Sequence, residues 1–356
     1  MDVNDGSPTP PVTPDDLAAY ALDAHDTDDA AAIAAHLDAS PDAVRTEQDL
    51  RSAAGEFAAA VVDEVAPAPD LRSRVVAEAR RRRAPAGVVA GASPIVVHRV
   101  EVARALLLLR DLTVDDWTRP VDPPELAGWT VHDVAVHLVA NESLLARQLG
   151  VPVPGIPETA TDNVGRTAAA HARHAGRPPT DAVAELEAAA EAADAEVEAR
   201  GEARLDEPID WWGGPAPTGV ALLVRAFETW THADDIRRAV GADTVAPPPA
   251  SLLTMANAAC GFVPSMLAAR GAHHPGRLVR FRFTDLGAAW EVDLGVVGDI
   301  RPAGDGAVDA EIITEAVAVC RGVSARIDPA ELAYDVVGDE QLARAVVDAL
   351  PALAVL

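Results

Sequence analysis

Apolar residues recur at helical spacing along most of the chain. Near its start, Leu17, Tyr20, Ala21, Ala32, Ile33 and Leu37 fall on single helix faces in two short segments that begin near Asp15. A longer helical stretch follows over 46–65. After Pro67 and Pro69 a basic helix is predicted over 71–83, ending in a run of arginines. Residues 1–14, with Asp, Ser, Thr and Pro and almost nothing apolar, are predicted to be a disordered tail, so the first domain spans 15–83. The stretch 84–93, APAGVVAGAS, has the composition of a linker.

A second helical region opens at Ile95, with Val97, Val100, Val102, Leu106 and Leu109 as its buried face. Pro-rich residues 120–128 form a loop. Helices are predicted over 131–149, over 180–202 with Thr180 as N-cap, over 218–240 and, beyond Pro247–Pro249, over 251–269. Several long amphipathic helices joined by loops make a bundle, assigned to 94–272. The period changes at Arg277, where Leu278-Val279-Arg280-Phe281-Arg282-Phe283 alternates and Trp290–Leu294 follows the Gly287 turn as a hairpin. A helix over 312–319, a strand over 333–337 and a final helix over 340–350 complete an α/β domain, 277–356. The fold class is mainly α and multidomain: a small N-terminal helical domain, a four-helix bundle and a C-terminal α/β (α+β) domain.

Composition narrows the function. A formal charge of −27 disfavours nucleic acid and anionic membrane as partners. Every basic residue is Arg, the mark of a GC-rich bacterial genome. Cys260 and Cys320 are too few and too far apart for a disulfide framework or a Cys-x-x-Cys zinc site, and they suit a reducing compartment. With no leader pattern and no run near the ~18 apolar residues of a membrane span, the chain reads as a cytoplasmic protein.

Three residues in the bundle carry chemistry. Glu228 and His232 stand four apart on one predicted helix and project from nearly the same face. His137 lies in another apolar helix. Two imidazoles and a carboxylate on facing helices make a three-ligand metal site with a position open to water or substrate. By spacing alone the bland readings are the commoner ones: a lone His among apolar neighbours is more often a hydrogen-bonded core residue, and a Glu–His pair at this spacing is often only a surface contact.

The flanking residues tip that balance. Gly128-Trp129-Thr130-Val131-His132-Asp133-Val134-Ala135-Val136-His137-Leu138 resembles the GWTVxDVxxHL signature of the mycothiol-dependent maleylpyruvate isomerase family, a branch of the DinB-like metal-binding bundles. Trp230-Thr231-His232-Ala233-Asp234-Asp235-Ile236-Arg237-Arg238-Ala239 resembles its WxHxxDIRRA signature. Val319-Cys320-Arg321 through Arg326, Val337-Gly338-Asp339 and Leu342-Ala343 look like its C-terminal domain, so the resemblance covers about 94–356. It implies a DinB-like bundle with His137, Glu228 and His232 as ligands of Zn2+ or another divalent metal, and mycothiol as thiol cosubstrate. The activity implied is that of an isomerase or thiol S-transferase acting on a small-molecule substrate. A metal-bound thiolate supplies the nucleophile that neither cysteine is placed to provide. Arg237 and Arg321 are candidates to hold a substrate carboxylate, Trp129 and Trp230 to border the cofactor. Asp234 and Asp235 are candidate partners of His232; His171 and His174 receive no role.

Residues 16–83 have a different resemblance. Leu17–Ala24, Ala35–Pro41 and 69–75 look like the cytoplasmic domain of anti-sigma factors. Ser40 and Ala43 stand where that family's zinc-binding members carry cysteines, which implies a metal-free helical domain. The competing function is a soluble regulator that holds a sigma factor and uses the metal bundle as a thiol sensor.

Overall fold

The computed structural model describes residues 12–21, 30–61, 91–153, 163–211 and 214–355, in two compact units, Met1–Arg82 and Arg83–Leu356. The expected helix 71–83, the 69–75 motif, linker residues 84–90 and most of the expected tail lie outside the described residues.

In the first unit, α1 (Pro14–Ala21), α2 (Ala30–Ala39) and α3 (Pro41–Val61) meet on a small core of Leu17, Ile33 and Ala43. Thr13 and Asp16 cap α1 reciprocally, the Asp16 amide donating to Thr13 Oγ1 and the Thr13 amide to Asp16 Oδ2. Ser40 and Ala43 have local roles: Ser40 Oγ accepts the Ala43 amide at the start of α3, and Ala43 is core.

The second unit is a helical bundle that shares a core with a small sheet. Its long helices are α4 (Pro94–Asp111), α5 (Val131–Gln148), α7 (Pro179–Arg200) and α8 (Thr218–Ala239), with α6 (Asn163–His174) laid against α5. The helices predicted over 131–149, 180–202 and 218–240 are present with shifts of at most two residues, whereas α6 has no predicted counterpart and, in the first unit, the helix expected over 46–65 lies at Pro41–Val61. Helix α7 starts at Pro179 instead of being capped by Thr180, because a proline in the first turn sacrifices no intrahelical hydrogen bond. The single helix expected over 251–269 is two, α9 (Pro249–Gly261) and α10 (Val263–Ala269), bent by 43°. Pro264 has no N–H to donate back to Cys260, so the ladder breaks there.

The C-terminal sheet has the order β5-β4-β3-β6-β7, built from β3 (Leu278–Phe283), β4 (Ala288–Asp293), β5 (Ile300–Pro302), β6 (Ala310–Thr314) and β7 (Asp335–Gly338). A two-strand ribbon, β1 (Pro208–Trp211) with β2 (Gly214–Pro217), precedes α8. Strands β3 and β4 form the expected hairpin, Phe281 opposite Trp290, while β3 and β6 run parallel. Residues 312–314 are thus strand and not helix; their β-branched run lies in β6, and α11 (Ala316–Val323) begins only after Glu315. Gly338 closes the β6–β7 pair at φ +98°, where a Cβ would come within 2.5 Å of the Asp309 carbonyl. Phe281, Phe283, Val319 and Val346, the last from α12 (Glu340–Ala349), pack in one core with Met255, Cys260 and Trp230 from α8 and α9. The bundle and the sheet are therefore held by common apolar contacts. Among the described residues no single helix is long and apolar enough to cross a membrane.

Candidate metal centre

Helix α5 is started by local chemistry. Thr130 is its N-cap: Thr130 Oγ1 accepts the Asp133 amide at 3.3 Å and Asp133 Oδ2 accepts the Thr130 amide at 2.8 Å. Gly128, at φ +84°, turns the chain into this cap. Two turns on, His137 projects into the bundle interior, and Trp129 ahead of the cap brings its ring to 5.3 Å from the His137 ring.

Helix α8 supplies the facing residues. Glu228 and His232, one turn apart, meet His137 so that one donor atom from each lies within 4.8 Å of the others. Both histidines turn Nε2 toward the same oxygen, Glu228 Oε1, at 2.7 Å from His137 and 3.9 Å from His232. Their other nitrogens are already engaged. His137 Nδ1 pairs with Thr167 Oγ1 at 2.9 Å, and His232 Nδ1–H donates to Asp235 Oδ2 at 3.1 Å. Asn141, one turn after His137, donates from Nδ2 to Glu228 Oε1 at 2.7 Å.

The electrostatics prepare the same donors. Burial pushes the Glu228 carboxyl up, but the Arg225 guanidinium and the His137 hydrogen bond outweigh it and hold the group well below the usual carboxylate range. Burial pushes the His137 imidazole down against the pull of Glu228, which favours the neutral ring that metal ligation requires. Asp235, also buried, is held ionised by hydrogen bonds from His232 and Arg326. Two imidazole nitrogens and one carboxylate oxygen, with each ring anchored through its second nitrogen, fit a divalent cation of zinc-like preference.

Positions two residues along a helix point about 200° apart, and α8 uses both of its sides. Arg225, Glu228, His232 and Asp235 share the metal-facing side. Trp230, Asp234 and Arg237 share the other, so three of the sequence candidates lie away from the triad. Trp230 is core, its indole N–H donating to the Val245 carbonyl at 2.9 Å. Arg237 and Arg321 both donate to Asp234 at 3.1 Å, and Arg321 also donates to Thr244 Oγ1. Both arginines are thus engaged with Asp234, on the side of α8 away from Glu228 and His232. Of the aromatic pair only Trp129 borders the site. Beside it stands His171, given no role from sequence, its ring 4.9 Å from that of Trp129 and its Nε2–H donating to the Asp133 carbonyl.

Sequence reasoning passed over Thr167, Asn141 and Arg225. The signal for the last two was their spacing, Asn141 four residues after His137 and Arg225 three before Glu228; Thr167, on α6, had none.

The segment that builds this centre has a known likeness. Residues 98–237 match the mycothiol maleylpyruvate isomerase N-terminal domain. Crystal structures of the mycothiol-dependent maleylpyruvate isomerase and of a mutant of it are similar to the chain at 15% identity and a TM-score of 0.46. Each comparison covers 68% of this chain and 91% of that one. None of the curated proteins matches the chain. The matched segment starts at His98, so the likeness of 16–83 to anti-sigma factors, and the regulator that it implied, receive no support from these comparisons.

Proposed function

We propose that the chain is a metal-dependent enzyme of the mycothiol-dependent maleylpyruvate isomerase type, an isomerase or thiol S-transferase that uses a small-molecule thiol on a small substrate. The observation that carries this reading is the convergence of His137 Nε2 and His232 Nε2 on Glu228 Oε1 inside the segment that matches the mycothiol isomerase domain.

His137, Glu228 and His232 would hold the metal, with zinc the ion that this donor set suits best. Bound there, the ion would supply Lewis acidity, which lowers the pKa of a thiol below the ~8.5 of a free one. The protein's own groups fix the donors. Thr167 and Asp235 hold the two imidazoles, and Arg225 keeps Glu228 ionised. Trp129 and His171 wall the space next to His137 with aromatic surface against which a small substrate is oriented.

The sulfur has to come from outside the chain. Cys260 and Cys320 are fully buried in the core shared with the sheet, and burial pushes both thiols up, far from thiolate at neutral pH. Mycothiol is the thiol that the matched domain's name specifies, and a chain without lysine fits a GC-rich bacterium that makes it.

The deciding experiment is turnover of an activated cis-alkene diacid such as maleylpyruvate by purified protein, with and without mycothiol and with and without Zn2+ after chelation. The expected result is activity only when both are present. Turnover that persists with no added thiol would sink the reading.

A further inference from the structure

The bundle interior contains a line of charged side chains that an Ala-rich helical core does not need. Helices α4, α5 and α8 contribute His98, Glu142 and Arg225, each with no exposed surface, and α7 contributes Asp194 at 7% exposure. They run from the rim to the metal centre in unbroken contact. At the rim Arg99 Nε donates to Asp194 Oδ2 at 3.1 Å. Asp194 Oδ1 meets His98 Nδ1 at 2.9 Å, and His98 Nε2 meets Glu142 Oε1 at 2.8 Å. Arg225 Nε donates to Glu142 Oε2 at 3.3 Å, and Arg225 Nη1 donates to Glu228 Oε2.

The signs alternate. His98 faces a carboxylate at each nitrogen, so both nitrogens donate and the ring is a cation; burial pushes it down, yet Glu142 and Asp194 hold it up at about 9. Arg225 is positive at any accessible pH. Every buried charge thus has an opposite neighbour, and the last link is a metal-centre carboxylate.

Stability does not account for such a network. Buried ion pairs are often replaced by well-packed apolar residues with no loss of stability or with a gain. What this network does uniquely is occupy one oxygen of Glu228. With Oε2 taken by Arg225, Oε1 is the oxygen left facing His137 Nε2 and His232 Nε2.

We infer that Arg225, braced by Glu142 and His98, is a positioning residue that orients Glu228 so that it offers the metal a single oxygen, Oε1. This rests on the reading of His137, Glu228 and His232 as metal ligands. Partners of this kind change metal affinity by about 10–100-fold when removed.

The test uses the full chain and Zn2+ alone, with affinity measured by competition against a chromophoric chelator and the melting temperature of the metal-free protein measured in parallel. The double variant Glu142→Met/Arg225→Met removes the brace but keeps the volume. Because it leaves His98 and Glu228 each without one buried partner, it is expected to melt below the wild-type temperature and to bind Zn2+ at least about 10-fold more weakly. Arg225→Lys keeps the charge but has no fork, and an intermediate Zn2+ affinity at the wild-type melting temperature is expected of it. Wild-type Zn2+ affinity in the double variant overturns the inference; should that variant not fold, wild-type affinity in Arg225→Lys does so. His137→Ala and His232→Ala distinguish the two levels. If they bind Zn2+ as tightly as wild type, the metal reading itself fails. If they lose it while the Arg225 variants do not, only the positioning role fails.

Discussion

Arg326 grips Asp235 across 91 residues of sequence through two hydrogen bonds of 2.7 Å, Nε to Oδ1 and Nη2 to Oδ2. The same carboxylate accepts from His232 Nδ1, so a residue after α11 supports a bundle histidine through one intermediary. Arg326 also donates to Glu125, in the loop that leads to Trp129, and to the Ser324 carbonyl. Ala325, immediately before it, takes the left-handed conformation at φ 56°, an unusual backbone for a residue with a Cβ.

Removing Arg326 should be costly. Arg326→Leu leaves the buried Asp235 carboxylate with only His232 and, at 3.6 Å, Arg238, and a loss of about 3 kcal/mol is expected for removing its main partner. Urea denaturation reads it. Asp235→Asn in the Arg326→Leu background should restore most of the loss, since the stranded charge is then gone; an unchanged midpoint in Arg326→Leu would show that the pair adds nothing.

Metal content should separate the histidines. His232→Ala and His137→Ala are expected to purify with far less zinc than wild type. His171→Ala, which loses only a contact to Trp129 and a hydrogen bond to the Asp133 carbonyl, should keep it. Elemental analysis checks this, and equal retention by all three would refute the triad.

Both cysteines should be dispensable for chemistry. Cys260→Ala/Cys320→Ala opens small voids in the shared core, lowering the melting temperature modestly. Thiol-dependent turnover at 25 °C should persist, and its disappearance from a folded, metal-loaded double variant would place the nucleophile on the protein.

Alkaline pH should weaken the fold through His98. Its imidazolium is held at about 9 in the folded protein, against about 6.5 for an unpaired histidine. The stability it contributes is complete below pH 6.5 and is lost as pH rises through 9, amounting to roughly 3 kcal/mol. Unfolding free energies between pH 6 and 10 should show this fall in wild type and a shallower one in His98→Gln.

Glu101 should act over a lower range. Burial pushes its carboxyl up to about 7 despite Arg104 nearby, and its Oε1 lacks a hydrogen-bond partner among the described residues. A carboxyl raised in the folded state favours folding below about pH 4.5 and progressively loses that contribution as pH climbs through 7. Glu101→Gln is therefore expected to be more stable than wild type at pH 8 and to have no advantage at pH 4.5, as thermal melts at the two pH values would show.

Helical period and capping chemistry are local, and the sequence alone determined what depends on them. Apolar spacing located α5, α7 and α8 to within a residue or two but not α6, the Thr130/Asp133 pair started α5, and the four-residue step from Glu228 to His232 put both side chains on one face of α8. The alternation Leu278–Phe283 marked a strand. The short run at 312–314 was ambiguous, because a few apolar residues have no resolvable period until a neighbouring strand pairs with them, as β3 does. Which face of α8 turns inward toward His137 is decided by packing against α4 and α5. Helical spacing could not tell for that reason that Trp230 and Arg237 lie on the other side of α8, and the bond from Arg321, on α11, to Asp234 is likewise made only in the tertiary structure. The contacts of greatest sequence separation, Thr167 with His137, His98 with Glu142 and Arg326 with Asp235, leave no periodic trace, since each joins elements that only the tertiary structure brings together.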